Sequence, residues 1–290
     1  MKLFDLHCDT LTEIRRKKES FSSHSGQVSL DRALATFDSY TQVMAIWSED
    51  ELDEEENYRR FDETLTYALP MLTDDRFVPI LAVEGGKLLG EDLTRLDHLA
   101  KRGVKVLTLV WKNCCAIGGA YNTNEGLTAF GRQVVERCFA LGIVPDLSHA
   151  SDPMFWETAE IAERYGKPVF VSHSCSRALC PHPRNLTDAM AKRVVELGGV
   201  IGVNLVPDHL GLSSLETVCE HLSHLSSVVG EDAVCLGCDL DGTSELPDGI
   251  RGIEDLTKLW ALLRNNSYPD GFAEKVFYSN AQTFAQVHLL

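Results

Sequence analysis

Leu3-Phe4-Asp5-Leu6-His7-Cys8-Asp9-Thr10 is the stretch on which the fold turns. Residues 3–6 read as a short β-strand. Such a strand opens either a doubly wound sheet or a barrel. The doubly wound layout usually carries a Gly-rich phosphate loop directly after its first strand. Here the strand runs into His7-Cys8-Asp9-Thr10, with no glycine.

Outward from that strand, short apolar runs alternate with helical patterns. The runs cover residues 3–6, 42–47, 77–83, 104–110, 143–147, 168–171, 199–205 and 234–238. Helical spacing joins Leu127, Phe130, Val134, Cys138 and Leu141. It also joins Leu215, Val218, Leu222, Leu225 and Val229, and Leu256, Leu259 and Leu263. Nearly continuous apolar runs suit strands buried on both faces, hence a parallel sheet. Eight β/α units in 290 residues predict a (β/α)8 TIM-type barrel, a single domain over residues 1–290. No internal repeat and no Pro/Gly/Ser-rich linker divides the chain.

Composition narrows the function. The net charge of −16 and a pI near 5.0 disfavour nonspecific binding to nucleic acid or anionic membrane. No stretch approaches the roughly 20 apolar residues of a membrane span, and the N-terminus lacks the apolar run of a signal peptide. The acidic stretch 49–56 reads as a solvated loop or helix start. Nine cysteines show no framework spacing, and Cys8, Cys138, Cys175, Cys219 and Cys235 sit among apolar residues. Reduced thiols of a cytoplasmic protein are expected. Cys235 and Cys238 resemble a zinc or redox pair, but residues three apart on a strand face opposite ways.

The C-terminal ends of the strands, where a barrel keeps its active site, carry the chemistry. They read Asp5-Leu6-His7-Cys8-Asp9, Val83-Glu84-Gly85-Gly86, Asp146-Leu147-Ser148-His149, Val171-Ser172-His173-Ser174 and Cys238-Asp239-Leu240-Asp241-Gly242. A lone histidine at a strand end is more often a hydrogen-bonded structural residue. Polar groups ending five apolar strands together point to a metal site. His7 and Asp9, two apart on a strand, face one side and offer a nitrogen and a carboxylate to one ion. His149 and His173 offer two nitrogens to a second, and Glu84 has the two oxygens needed to bridge. Imidazole with carboxylate suits Zn²⁺, and Mn²⁺, Co²⁺ or Fe²⁺ on ligand type alone. His221 and His224 read as a polar helix face. His24, His98, His182 and His209 lack partners at strand ends; His182, in the loop Pro181-His182-Pro183-Arg184-Asn185, could approach the mouth but reads first as solvated.

Taken in order, these motifs resemble the membrane (renal) dipeptidase family of metallopeptidases, within the amidohydrolase-like barrels. Further matching stretches are Gly126-Leu127-Thr128-Ala129-Phe130-Gly131, Arg184-Asn185-Leu186-Thr187-Asp188, Gly198-Gly199-Val200-Ile201-Gly202-Val203 and Gly237-Cys238. The resemblance implies a binuclear zinc site. In it His7 and Asp9 hold one ion, His149 and His173 hold the other, and Glu84 bridges. It implies Asp239 as the catalytic carboxylate, Arg184 as the anchor of the substrate's terminal carboxylate, and a homodimer. The implied reaction is hydrolysis of dipeptides, including ones with a D-residue second. Two other readings stand beside it. One is a binuclear amidohydrolase acting on N-acyl amino acids, lactams or cyclic amides. The other is a metal-binding protein without turnover.

One position departs from the family pattern. Where the best-known members have a substrate-contacting histidine after the fourth strand, this chain has Trp111. An indole N–H donates one hydrogen bond but cannot polarise a carbonyl as imidazole can. Trp111 is therefore expected to line the substrate site and alter its selectivity. The chain is also shorter than secreted relatives and lacks their signal and anchor segments, from which a cytoplasmic form is expected.

Overall fold

In the computed structural model, which describes residues 1–265 and 268–290, the eight apolar runs become eight parallel strands. They are β1 (Lys2–Cys8), β2 (Ser39–Trp47), β3 (Phe77–Glu84), β4 (Val104–Thr108), β5 (Val144–Asp146), β6 (Val171–Ser174), β7 (Ile201–Val203) and β8 (Val234–Leu236). The order is β5-β4-β3-β2-β1-β8-β7-β6. A parallel bridge between Asp146 and Phe170 brings β5 to β6, with Leu147 N–H donating to Phe170 C=O at 2.9 Å. The sheet therefore curls into a nearly closed (β/α)8 barrel, as expected.

Alternation of side chains splits the core in two. Phe4, Leu6, Val43, Ala45, Ile80, Ala82, Val106 and Val144 fill the lumen, and the last helix, Asn280–His288, packs Phe284 against Phe170 beneath it. The opposite faces meet the surrounding helices in a larger cluster. Those helices start where capping chemistry predicts. Asp53, Thr128, Ser151, Thr187 and Ser214 each accept an N–H of the first turn on a side-chain oxygen. Asp53 makes the acidic stretch a loop followed by the start of helix Glu54–Ala68.

Several strands end short of the runs read from sequence, such as β7 at Ile201–Val203 and β8 at Val234–Leu236, and two further differences affect the site. Strand β6 begins at Val171 rather than 168 and runs through His173; Phe170 just before it is held by a single parallel bridge to Asp146. Asp9 is not on β1. The strand ends at Cys8, and Asp9 opens helix Thr10–Lys17. A register shift between Asp5 and Cys8 re-aims the end of β1, so His7 and Asp9 meet across a strand-to-helix corner.

Candidate metal centre

Six ionisable side chains from five strand ends converge at the C-terminal mouth. His7 Nε2 lies 3.3 Å from Asp9 Oδ2, 3.6 Å from Glu84 Oε1 and 3.7 Å from Asp239 Oδ1. Glu84 Oε1 also lies 3.0 Å from His149 Nε2 and 3.3 Å from His173 Nε2. The His7 and His173 rings stack at 3.8 Å. Within 4.8 Å of one another lie the donor atoms of three sets: His7, Asp9 and Glu84; Glu84, His149 and His173; His7, His173 and Asp239. The five residues read from sequence as ligands are thus brought together, with Glu84 between the two halves. Asp239 joins them.

The backbone at the mouth is bent to allow this. His149, Asp239 and Asp241 adopt φ of 68°, 61° and 64°. That left-handed region is uncommon for residues with a Cβ, and His and Asp are among those that tolerate it best. Gly242 completes the turn after β8. A Cβ there would sit 2.3 Å from Asp239 Oδ1 and 2.4 Å from Asp9 Oδ2, so only glycine leaves both carboxylates their places.

Three carboxylates in one buried cluster are electrostatically costly without a cation. Burial, then the charge of Glu84, pushes Asp9 up to about 7. Burial, with Glu84 and Asp9 adding, raises Asp239 well above the carboxylate range. Burial opposes ionisation of Glu84 too, but His7, His149 and His173 win and hold it well down. Burial likewise opposes protonation of His7, and Glu84 and Asp9 overcome it. His149 falls to about 4 through burial and the charge of Arg184, and His173 is held low by burial, His7 and Arg184. The neutral His149 and His173 imidazoles, with His7 and mutually repelling carboxylates beside them, make a donor set that suits a divalent transition metal. Asp9 Oδ1 is buried with no hydrogen-bond partner among the described residues, as a waiting ligand oxygen would be. The residues present fit the implied metal.

A cavity of about 170 Å³ opens above the cluster, lined by Thr12, Glu13, Trp47, Trp111 and Asp241 together with Asp9, Glu84, His149, Asp239 and Gly242. Trp111 meets Trp47 edge-on at 4.7 Å, forming an aromatic wall. Arg184 is not on this wall. It is buried at 4% exposure, with Nε and Nη2 unpartnered among the described residues. Burial lowers its pKa, while the charges of Asp239, Asp146 and Glu84 support its protonation.

Sequence reasoning missed several neighbours. His182 is half-buried in its loop and reaches towards the mouth: its ring lies 4.9 Å from that of His209 and 6.0 Å from that of Tyr121, and its Nδ1 accepts the Arg184 N–H at 3.2 Å. Tyr121 also lies 6.2 Å from His149, brought by a long loop that no strand-end rule selects. His221 is buried at 0% exposure, accepting Ser176 N–H on Nδ1; its helix is amphipathic, and it belongs to the inner face. Pro183-Arg184 was the available signal for this corner, since a rigid turn carries Arg184 inward.

A family model, membrane dipeptidase (peptidase family M19), matches residues 68–286. That span includes Glu84, His149, His173, Arg184 and Asp239, and begins after His7 and Asp9. An uncharacterised Klebsiella pneumoniae protein from the pqqA 5′ region is 36% identical over 71% of this chain and 81% of its own. Human dipeptidase 3 is 30% identical over 78% of this chain and 48% of its own, so the chain spans about half the length of that relative. Among solved structures, an M19 dipeptidase metallopeptidase superimposes with a TM-score of 0.89 at 25% identity, over 100% of this chain and 99% of the other. A Rhodobacter sphaeroides metallopeptidase liganded with a phosphinate mimic of L-Ala-D-Ala gives 0.88 at 25% identity, over 99% of each. A barrel with this cluster at its mouth, the family model and these relatives lead to one conclusion: the chain belongs to the membrane dipeptidase family, peptidase family M19.

Proposed function

We propose that this protein is a metallo-dipeptidase that hydrolyses the peptide bond of dipeptides, L,D-dipeptides included. The observation that carries the reading is the convergence of His7, Asp9, Glu84, His149, His173 and Asp239 around one point beneath a small cavity. His7 with Asp9 would hold one ion and His149 with His173 the other, with Glu84 shared and zinc in both places. Such ions supply Lewis acidity to the scissile carbonyl and acidify nearby water.

The chain's own residues do the rest. Asp239, held 3.7 Å from His7 Nε2 at the edge of the cluster and lining the cavity, takes the proton of the attacking water and passes it to the leaving amine. Arg184 pairs with the substrate's terminal carboxylate, which answers its two unpartnered nitrogens. Trp47 and Trp111 wall the cavity and present an apolar face to the substrate. Residues 1–290 act as one hydrolase barrel. Nine free cysteines, seven of them buried, support a reducing, cytoplasmic setting. No helix among the described residues is long and apolar enough to cross a membrane. A homodimer belongs to the same proposal. The exposed Leu179 and Leu212 offer apolar surface for it, and light scattering reads it.

The test is hydrolysis of an L,L- and L,D-dipeptide library by zinc-loaded protein. Turnover of N-acyl amino acids or cyclic amides, with none of dipeptides, would refute the dipeptidase reading.

A further inference from the structure

Asp146 ends β5 three residues before His149 and is not placed among the ligands. It is fully buried, and four donors surround its carboxylate. Oδ1 accepts the N–H groups of Ser148 at 3.0 Å and Ser172 at 2.9 Å. Oδ2 accepts the hydroxyls of Thr108 at 2.5 Å and Ser172 at 2.6 Å. The Ser172 hydroxyl oxygen also lies 2.7 Å from His173 Nδ1.

A serine hydroxyl has one proton to give. If Ser172 gave it to His173, its oxygen would face a carboxylate oxygen at 2.6 Å with no proton between them, a repulsive contact. The proton therefore goes to Asp146. Ser172 must then accept from His173, which requires the imidazole proton on Nδ1. Ser148 is consistent with this. Its hydroxyl oxygen accepts the His173 backbone N–H at 3.1 Å and lies 3.2 Å from the Ser172 oxygen, so with the Ser172 proton on Asp146 it is Ser148 that donates between the two hydroxyls. On the other edge of the ring, Nε2 faces Glu84 Oε1 and His149 Nε2. Glu84 pulls in the opposite sense, favouring a proton on Nε2.

We infer that Asp146, acting through Ser172, holds His173 in the tautomer with its proton on Nδ1 and its lone pair on Nε2, and so is a positioning residue for the metal centre. The inference rests on the metal reading given above. It assigns work to Asp146, Ser148 and Ser172, which the ligand set leaves unused. It also makes the two histidines unequal. His149 Nδ1 is buried with no partner among the described residues, so His173 is the ligand anchored from behind. Outer partners of metal-bound histidines commonly fix the tautomer in this way.

Asp146→Asn separates positioning from mere support. The two backbone N–H groups keep the amide oxygen at the Oδ1 place, which puts the NH₂ group at the Oδ2 place. That group donates to Thr108 and Ser172, and the Ser172 proton turns to His173 Nδ1. The tautomer reverses, although the side chain keeps its shape. The experiment is ¹⁵N NMR of histidine-labelled, chelator-stripped protein, with His173→Gln to assign the signals, followed by a zinc affinity measurement by chelator competition. Wild type should show a pyridine-like Nε2 at His173, and Asp146→Asn a pyrrole-like one, with zinc affinity lower by about 10–100-fold. Ser172→Ala should lose affinity similarly, and Ser172→Thr should recover it. A pyrrole-like Nε2 in wild type overturns the inference, as does an Asp146→Asn protein with tautomer and affinity unchanged. If Asp146→Asn fails to fold by circular dichroism, the serine pair decides, and equal affinity in Ser172→Ala and Ser172→Thr overturns it. If wild type binds no zinc, the metal reading falls, while the tautomer on stripped protein still decides whether Asp146 controls His173.

Discussion

His149 Nε2 lies 2.9 Å from His173 Nε2, with Glu84 Oε1 within 3.3 Å of both. The two histidines come from β5 and β6, the strands at the open seam of the sheet. Metal held there would tie the seam together on its mouth side.

Glu84 stands between both halves of the cluster, so Glu84→Gln should weaken binding in both. A neutral amide is a poor shared ligand for two dications. His149→Ala should mainly empty one position. Metal analysis of purified proteins checks this, and full occupancy in Glu84→Gln would falsify the shared role.

Asp239→Asn should fold and keep its metal, because asparagine tolerates the φ of 61° that this position demands. Turnover should fall by roughly 10²–10⁴, the usual effect of losing a general base. Near-normal kcat would move the role away from Asp239.

Arg184→Met should lower kcat/KM for free dipeptides by about 10–150-fold, the equivalent of roughly 1.5–3 kcal/mol for a charge-assisted pair. C-terminally amidated dipeptides should already be poor substrates of wild type. Arg184→Lys should recover little, since an ammonium cannot make the two-pronged contact. Unchanged activity in the Met variant would leave Arg184 without a substrate role.

Gly242→Ala tests how tightly the mouth is built. The added methyl must displace Asp239 and Asp9 by about an ångström. A shift of that size at a reacting centre costs about 10²-fold in rate. Turnover and metal content should fall while the fold, read by circular dichroism, is retained. Wild-type activity would mean that the two carboxylates have room to move.

Burial, and then the charge of Arg184, hold His209 at about 2, far below its unfolded value near 6.5. The unfolded chain therefore binds a proton that the native one refuses. The contribution of His209 is whole above about pH 6.5 and is lost as pH falls from there toward about 2. His209→Gln should make stability in urea decline less between about pH 7 and pH 5. An identical slope in the variant would contradict the shift.

The barrel was legible because its signals are local. Each apolar run is long enough to be a strand buried on both faces, and the missing glycine after residue 6 turned the choice away from a nucleotide fold. His7, Asp9, Glu84, His149 and His173 were legible as candidates because a parallel barrel sends every strand's C-terminal end to one face, so position along the chain becomes position in space. Tertiary structure decided the rest. The meeting of His7 with Asp9 depends on the register shift in β1 and the corner that follows, which no two-residue spacing encodes. Tyr121, His182 and His209 come together through loops whose paths are set by packing. The hold of Asp146 on His173 exists only where β5 closes onto β6, because a hydrogen bond needs its partners within about 3 Å and the sequence keeps these two 27 residues apart.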